Sequence, residues 1–405
     1  MAVRASLYTK RQEPTVFRIC SICAVFGYIR YLRALFPIEI LSFDRICDTV
    51  SISETERVFN YYYRKLADSS HRLQRRESSR LKRINMALDL VKKIRVCEVG
   101  VRDGLQNEKQ IISVEDKVKL INMMSEAGFP VIEVGSFVSP KAVPQMANTD
   151  EVFKNITRKE GVEYRALIAN LKGVERAIAC GCTKVKLNVS ASVAHNLANL
   201  NRTPSESVAG FRSCVDRALE AGIGISGSIS MPFGSPWDKE IPVQDVKDIV
   251  EAYLNVGITE ISLSDAAGVA YPTQVSAMCD EMKKCYPEVT WWLHFHNTRG
   301  LGIANILAGM MSGMTQFDAS FAGVGGCPFV PGAAGNVTTE DLLHMCDEMG
   351  VETGIDLDKA MEISRNVVGL LGHSTDSFLL RAGKASDLIL ELPKGQIRNQ
   401  TELKK

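Results

Sequence analysis

The chain has 405 residues, 45% of them hydrophobic, with 48 basic and 47 acidic side chains and a formal net charge of +1. That length allows one large domain, or two ordinary ones, with a substantial core. A charge balance near zero argues against a general nucleic-acid or membrane-surface binder, although a local anion pocket remains open to it.

Residues 1–85 carry Arg-rich segments such as Arg72-Leu-Gln-Arg-Arg76 and Arg80-Leu-Lys-Arg83 and show no regular alternation. The apolar run from Ile19 to Ile29 is bounded by Arg18 and Arg30 and falls short of the roughly 20 residues a membrane span needs. Glu13, Glu39, Asp44, Asp48, Glu54 and Glu56 break the acid-poor pattern of a transit peptide. Cys20 and Cys23 form a lone C-x-x-C with no second pair at zinc-ribbon spacing. The 11 cysteines are odd in number and scattered. They point to a reducing compartment, the cytoplasm or in a eukaryote the mitochondrial matrix, rather than to a disulfide framework. Composition changes near Met86. We expect a basic extension over 1–91 that is dispensable for chemistry, a catalytic domain over 92–375 and a tail over 376–405.

From Ile94 the chain settles into eight β-like runs, each followed by a helix-like run. The expected strands cover 94–101, 131–137, 164–169, 184–190, 224–231, 260–264, 290–296 and 317–322. Expected helices include 114–127, 205–221, 243–256 and 272–285. Gly128, Gly222, Gly257, Gly313 and Gly350 serve as helix stops. Eight such units over about 250 residues fit an α/β (β/α)8 TIM barrel. A doubly wound sheet is the alternative, but it would need a Gly-rich phosphate turn where this chain has Arg102-Asp103-Gly104.

Alternation within the strands sorts their faces. In the seventh, Trp291, Leu293 and Phe295 share one face and Trp292, His294 and His296 the other. The apolar set should meet the helices, which turns both histidines inward. The same rule places Glu98 with Arg102 in strand one, and Glu133 between Val131 and Gly135 in strand two. It turns Lys186, Asn188 and Ser190 inward in strand four, Ser226, Ser228 and Ser230 in strand five, and Asp318 and Ser320 in strand eight. Polar groups buried without partners cost roughly 1–3 kcal/mol each, and charges more. So polar an interior must satisfy itself, a metal or a substrate, and we read it as a site.

Three motifs carry chemistry. His294-Phe-His296 is either a structural pair or two imidazoles offered to one ion from the C-terminal face of the barrel. Arg102-Asp103 is either a local ion pair or a carboxylate ligand beside a charge stabiliser. The loop Gly323-Val-Gly-Gly-Cys-Pro-Phe-Val-Pro-Gly-Ala-Ala-Gly-Asn336 is either a plain connection or a hinged cover bringing Cys327 to the mouth. Asn336 is either a helix N-cap or a further ligand. Oxygen and imidazole donors together suit Mg²⁺ or Mn²⁺, although histidine also admits Zn²⁺ and Co²⁺.

These motifs occur in the order found in 3-hydroxy-3-methylglutaryl-CoA lyases. Glu98-Val-Gly-Val-Arg-Asp-Gly-Leu-Gln-Asn-Glu-Lys109 resembles that family's opening strand. Gly135-Ser-Phe-Val-Ser-Pro-Lys141, Pro144-Gln-Met146, His294-Phe-His296, Gly325-Gly-Cys-Pro328 and Gly335-Asn336 follow. The resemblance runs from about Ile94 to Gly350. It implies a metal-dependent retro-Claisen cleavage of an acyl-CoA substrate to acetyl-CoA and acetoacetate, by a homodimer. It further implies Asp103, His294, His296 and Asn336 as metal ligands, Arg102 as enolate stabiliser and Cys327 as the acid that protonates the enolate. Glu133 and Asp265 would be polar members of the site, with Gln106 and Lys109 beside Arg102 on the substrate. The chain departs from the family's usual Asp-Thr-Tyr-Gly at Asn297-Thr-Arg-Gly300. Val101 stands where Pro is usual, and Glu133-Val-Gly135 is similar to the isopropylmalate synthase type of condensing enzyme. A lyase for citramalyl-CoA and a condensing synthase are therefore the alternatives. The Gly-Gly-Cys-Pro loop favours a lyase, since a synthase has no need of the thiol acid.

Overall fold

The computed structural model describes residues 89–326, 332–373 and 375–387. The expectations for Cys20 and Cys23, the Arg-rich segments, the break at Met86, nearly all of the extension, Cys327 and the end of the tail lie outside those residues.

Eight parallel strands close into a barrel, in chain order all the way round. They are β1 (Arg95–Glu98), β2 (Val131–Ser136), β3 (Glu163–Ile168), β4 (Lys184–Ser190), β5 (Gly224–Ser230), β6 (Glu260–Asp265), β7 (Thr290–Phe295) and β8 (Gln316–Ala319). β8 returns to β1 with Cys97 opposite Asp318 and Glu98 opposite Ala319. Helices alternate with the strands: α1 (Val114–Ala127), α2 (Thr149–Asn155), α3 (Leu171–Ala179), α4 (Val193–Leu200), α5 (Pro204–Ala209), α6 (Phe211–Glu220), α7 (Val243–Asn255), α8 (Pro272–Cys285), α9 (Gly302–Met311), α10 (Thr339–Met349), α11 (Leu357–Leu371) and the short α12 (Phe378–Ala382). The (β/α)8 barrel expected from the strand–helix rhythm is the observed fold. Among the described residues, no helix is long and apolar enough to cross a membrane.

Local chemistry fixes the element ends. α1 starts at Ser113, whose hydroxyl accepts from the Asp116 amide at 3.0 Å, and stops at Gly128, which takes a left-handed φ of 95°. α5 opens with a capping box between Thr203 and Glu206. The single helix expected over 205–221 is two, α5 and α6, interrupted at Gly210, where the weak helix propensity of glycine permits the break.

The strands bury aliphatic and aromatic side chains outward against the helices. Val96, Ile132, Val185, Leu187, Ile261, Leu263, Leu293, Phe295 and Phe317 all belong to this outer core. Inside lies a small apolar cluster of Cys97, Val99, Val131 and Trp292. Much of the rest of the described inner face is polar. Ser228 and Ser264 share a hydrogen bond at 3.1 Å, and the Ser230 hydroxyl donates to Asn188 Oδ1 at 2.7 Å. At the start of the strands, Arg165 and Lys184 interleave with Glu163 and Glu260, and the Arg165 guanidinium lies 4.7 Å over the Trp292 ring. That layer of ion pairs fills the N-terminal end of the barrel.

Strand one departs from expectation in two ways. It ends at Glu98, and residues Gly100–Gly104 form one turn of π-helix instead of continuing the strand to 101. Glu98 therefore does not share an inward face with Arg102. It turns outward and accepts from the amides of Gly100 (2.8 Å) and Phe321 (3.0 Å) and from the Thr339 hydroxyl (2.6 Å). Burial pushes its carboxyl up to about 8, despite these three donors. A Cβ at Gly100 would sit 2.6 Å from the Phe321 ring, so the turn needs glycine there. β8 likewise ends early, at Ala319 rather than 322, where Phe321–Gly323 makes a 3-10 turn.

Outer packing is tight enough to test. Tyr253 of α7 is fully buried, stacks on Phe211 at 4.8 Å and donates to the Ser228 carbonyl at 3.0 Å. A Cβ on Gly227 of β5 would lie 2.8 Å from the Tyr253 ring. Gly227→Ala should therefore destabilise the barrel by about 1–3 kcal/mol, the usual cost of overpacking. Urea unfolding reads this directly, and an unchanged midpoint would contradict the packing described.

Candidate active site

Arg102, Asp103, His294, His296 and Asn336 gather at the C-terminal end of the strands, with Glu133, Lys186 and Asp318 just below them. The π-turn is what places the first of them. The Val99 carbonyl accepts from the amides of Arg102 (3.1 Å), Asp103 (2.7 Å) and Gly104 (3.3 Å), which coils the chain over the end of β1. Such turns are frequent at functional sites because they re-aim side chains that a regular element would direct elsewhere.

Asp103 thereby reaches the two histidines at the end of β7. Its Oδ2 lies 3.4 Å from His296 Nε2 and 3.9 Å from His294 Nε2. All three ligand atoms fall within 4.8 Å of one another. Neighbouring ligand atoms on an octahedral ion with bonds of about 2.1 Å stand roughly 3 Å apart, somewhat closer than these atoms stand to one another, so the three would draw in around a divalent cation. Asn336 lies beside the group. Its amide donates to Asp103 Oδ2 at 2.9 Å and to the Val324 carbonyl at 3.1 Å, and its backbone bridges that of His296. It is not an N-cap: α10 begins three residues beyond it, with Thr338 at the N-cap position. Gly325, with a φ of 130°, passes so close that a Cβ there would meet the Asn336 amide at 2.4 Å.

Arg102 is held from two sides. Its Nη1 donates to Asp103 Oδ1 and its Nε to Glu133 Oε1, each at 2.5 Å. Glu133, fully buried in β2, also takes Lys186 Nζ at 3.0 Å. Lys186 lies 3.5 Å from Asp318 Oδ2, and the same oxygen is 3.2 Å from His294 Nδ1. Burial alone would raise these carboxyls. The Arg102 charge and the two imidazoles nonetheless hold Asp103 well below the usual carboxylate range. Arg102 and Lys186 lower Glu133, and Lys186 with His294 does the same for Asp318. Three carboxylates against two cations leave one negative charge in the wall of the site, which suits a bound cation.

The other expected residues take different places. Asp265, at the end of β6, accepts from the amides of Val269 (3.0 Å) and Ala270 (2.9 Å) and pins the following loop; burial raises its carboxyl. Gln106 is half-buried and Lys109 exposed, both just past the π-turn. Arg299 is exposed, with its Nη1 held by the carbonyls of Ala267 (3.1 Å) and Gly268 (2.9 Å). Sequence reasoning turned Lys186 and Asp318 inward without a role, and it missed Arg165. The signal for Arg165 was present: Glu163, Arg165 and Leu167 alternate with Tyr164, Ala166 and Ile168.

Comparison with known proteins identifies the family. The HMGL-like family model matches residues 93–367. A hydroxymethylglutaryl-CoA lyase of Bacillus subtilis is 38% identical over 295 residues, covering 73% of this chain and 99% of the relative. The mitochondrial hydroxymethylglutaryl-CoA lyase of Macaca fascicularis is 40% identical over 293 residues, 72% of this chain and 90% of the relative. Among solved structures, an HMG-CoA lyase of A. baumannii in complex with coenzyme A and 3-methylmalate superposes with a TM-score of 0.72 at 44% identity, covering 75% of this chain and 98% of that one. Likeness at this level, sustained over nearly the whole length of each relative, goes beyond a shared barrel: the chain belongs to the HMGL-like family, among its hydroxymethylglutaryl-CoA lyases.

Proposed function

We propose the following division of labour among the site residues of this carbon–carbon lyase, which cleaves 3-hydroxy-3-methylglutaryl-CoA to acetyl-CoA and acetoacetate. The observation that carries it is the convergence of Asp103, His294 and His296 beside Arg102 at the barrel mouth.

In the reaction the tertiary hydroxyl gives up its proton, and the bond between its carbon and the methylene next to the thioester breaks. The hydroxyl-bearing carbon becomes the ketone of acetoacetate. The bond's electron pair moves into the thioester as an enolate, which takes a proton to become acetyl-CoA. A divalent ion would be held by Asp103, His294, His296 and the Asn336 amide oxygen, and would supply acidification of that hydroxyl. The mixed oxygen and imidazole donors favour Mg²⁺ or Mn²⁺. Arg102 has its Nε and Nη1 committed to carboxylates, which leaves Nη2 uncommitted among the described residues. That amino group is the one to meet the enolate oxygen, already oriented before charge develops. Glu133 fixes its direction, and Asp265 fixes the loop beside the histidines. The exposed Lys109 and the half-buried Gln106 suit the acyl-CoA itself, with the ammonium offered to its phosphates. Cys327, which lies outside the described residues, is assigned the final proton transfer, because an ordinary thiol of pKa about 8.5 is protonated at neutral pH. Residues 92–375 carry all these groups. The reading is of a homodimer in a reducing compartment, the cytoplasm or the mitochondrial matrix.

Three measurements test it. Turnover should vanish on chelation and return with Mg²⁺ or Mn²⁺; full activity in a metal-free preparation would rule the assignment out. Arg102→Gln should cost about 10²–10³ in kcat with the fold intact. Arg102→Lys should fail as well, since a point ammonium cannot hold two carboxylates and an oxyanion as the planar fork does. Either variant within threefold of wild type would contradict the role. Cys327→Ala should lower kcat by roughly 10²–10⁴, the range for a lost general acid, and a fully active variant would remove the thiol from the mechanism.

A further inference from the structure

Lys186 sits in the middle of the barrel and touches no group that would meet substrate. It is 3% exposed, on β4, and its ammonium lies between two buried carboxylates, Glu133 Oε2 at 3.0 Å and Asp318 Oδ2 at 3.5 Å. Each carboxylate holds one of the groups assigned to chemistry. Glu133 Oε1 takes Arg102 Nε at 2.5 Å, and Asp318 Oδ2 faces His294 Nδ1 at 3.2 Å. His296 has no such support: its Nδ1 is buried without a hydrogen-bond partner among the described residues. We propose that Lys186 and Asp318 are positioning residues, and that Lys186 couples the orientation of the enolate-stabilising Arg102 to that of the metal-binding His294.

The argument is geometric. A neutral imidazole binds a metal through the nitrogen that lacks a proton, so the partner of the other nitrogen selects the tautomer. With Asp318 accepting from Nδ1–H, the lone pair of His294 falls on Nε2, the atom that faces Asp103. Asp318 can hold that position only while its own charge is met inside the barrel, and among the described residues its Oδ1 has no hydrogen-bond partner. Lys186 meets that charge on the same oxygen as the histidine. The other candidate role for a buried barrel lysine is that of an amine nucleophile. It is disfavoured here, because two carboxylates keep this nitrogen as an ammonium.

The inference rests on the metal reading above, and the test separates the two. Mn²⁺ is titrated into the full-length protein and free Mn²⁺ is followed by electron paramagnetic resonance, with kcat and KM measured alongside. Wild type should bind Mn²⁺ and Asp103→Asn should not; if wild type fails to bind, or Asp103→Asn binds normally, the metal reading falls and this inference falls with it. Given that control, Asp318→Asn and Lys186→Met should each weaken Mn²⁺ binding by about 10–100-fold, the usual effect of losing a partner of a metal ligand. At saturating Mn²⁺, Asp318→Asn should regain most of its kcat. Lys186→Met should stay at least tenfold low with little change in KM, because Arg102 is then loosened through Glu133. The double variant should be no worse than about threefold below the weaker single variant. Should Lys186→Met fail to fold, Asp318→Asn keeps the shape of the site and decides the metal arm, while Lys186→Arg, which keeps the charge, should bind Mn²⁺ better than Asp318→Asn. Folded variants that bind Mn²⁺ and turn over within twofold of wild type would overturn the proposal. So would losses in the double variant that multiply independently.

Discussion

Three carboxylates and two cations buried in the throat of a barrel stay charged only as a set. Asp103, Arg102, Glu133, Lys186, Asp318 and His294 follow one another in a ring of contacts that closes where His294 Nε2 returns to Asp103. Each carboxylate has a positive neighbour, and both cations have two negative ones. Removing one partner from a buried pair costs about 3–5 kcal/mol, because the other is left charged in a poor solvent. The ring therefore fixes its members in place, and it fixes them around the positions that a metal ion and a thioester oxygen are proposed to take.

The fold supplies this ring from separate strands. Arg102 and Asp103 come from the turn after β1, Glu133 from β2, Lys186 from β4, His294 from β7 and Asp318 from β8. Parallel pairing in strict chain order brings β8 beside β1, so residues more than two hundred positions apart meet across one seam. The layer beneath keeps the ring from water. Trp292 and the ion pairs of Arg165 and Lys184 close the N-terminal end, leaving the mouth as the open side. Loss of the ring and loss of the plug should therefore have different consequences: the first disturbs orientation, the second burial.

Much of this was legible in the sequence, and the reason is periodicity. Trp292, His294 and His296 separate from Trp291, Leu293 and Phe295 by alternation alone, and β4 and the serines of β5 were placed on the correct face in the same way. What alternation cannot show is where a strand stops alternating. Glu98 was placed inside because the strand was taken to run on to 101, and the π-turn reverses that. The turn depends on Phe321 and Thr339, more than two hundred residues away, so no local pattern announces it. The same holds for Asn336, whose partner is Asp103 and not the helix that follows it. Arg165 was missed although alternation turns it inward with Glu163; its distant partner, Glu260, is set by register across β3, β4, β5 and β6.

A mostly apolar barrel interior would be simpler to fold, since hydrophobic groups need no partners. Here the inner face carries serines that bond one another, ion pairs below and the charged ring above. Buried ionic groups are weak contributors to stability when compared with apolar ones of the same shape. Their persistence in the throat is thus better explained by what they orient than by what they stabilise. An enolate forms and disappears within one turnover, and a charge that had to swing into place would lose most of its effect to reorganisation. Arg102, clamped at Nε and Nη1 before any substrate arrives, has no such reorganisation left to make.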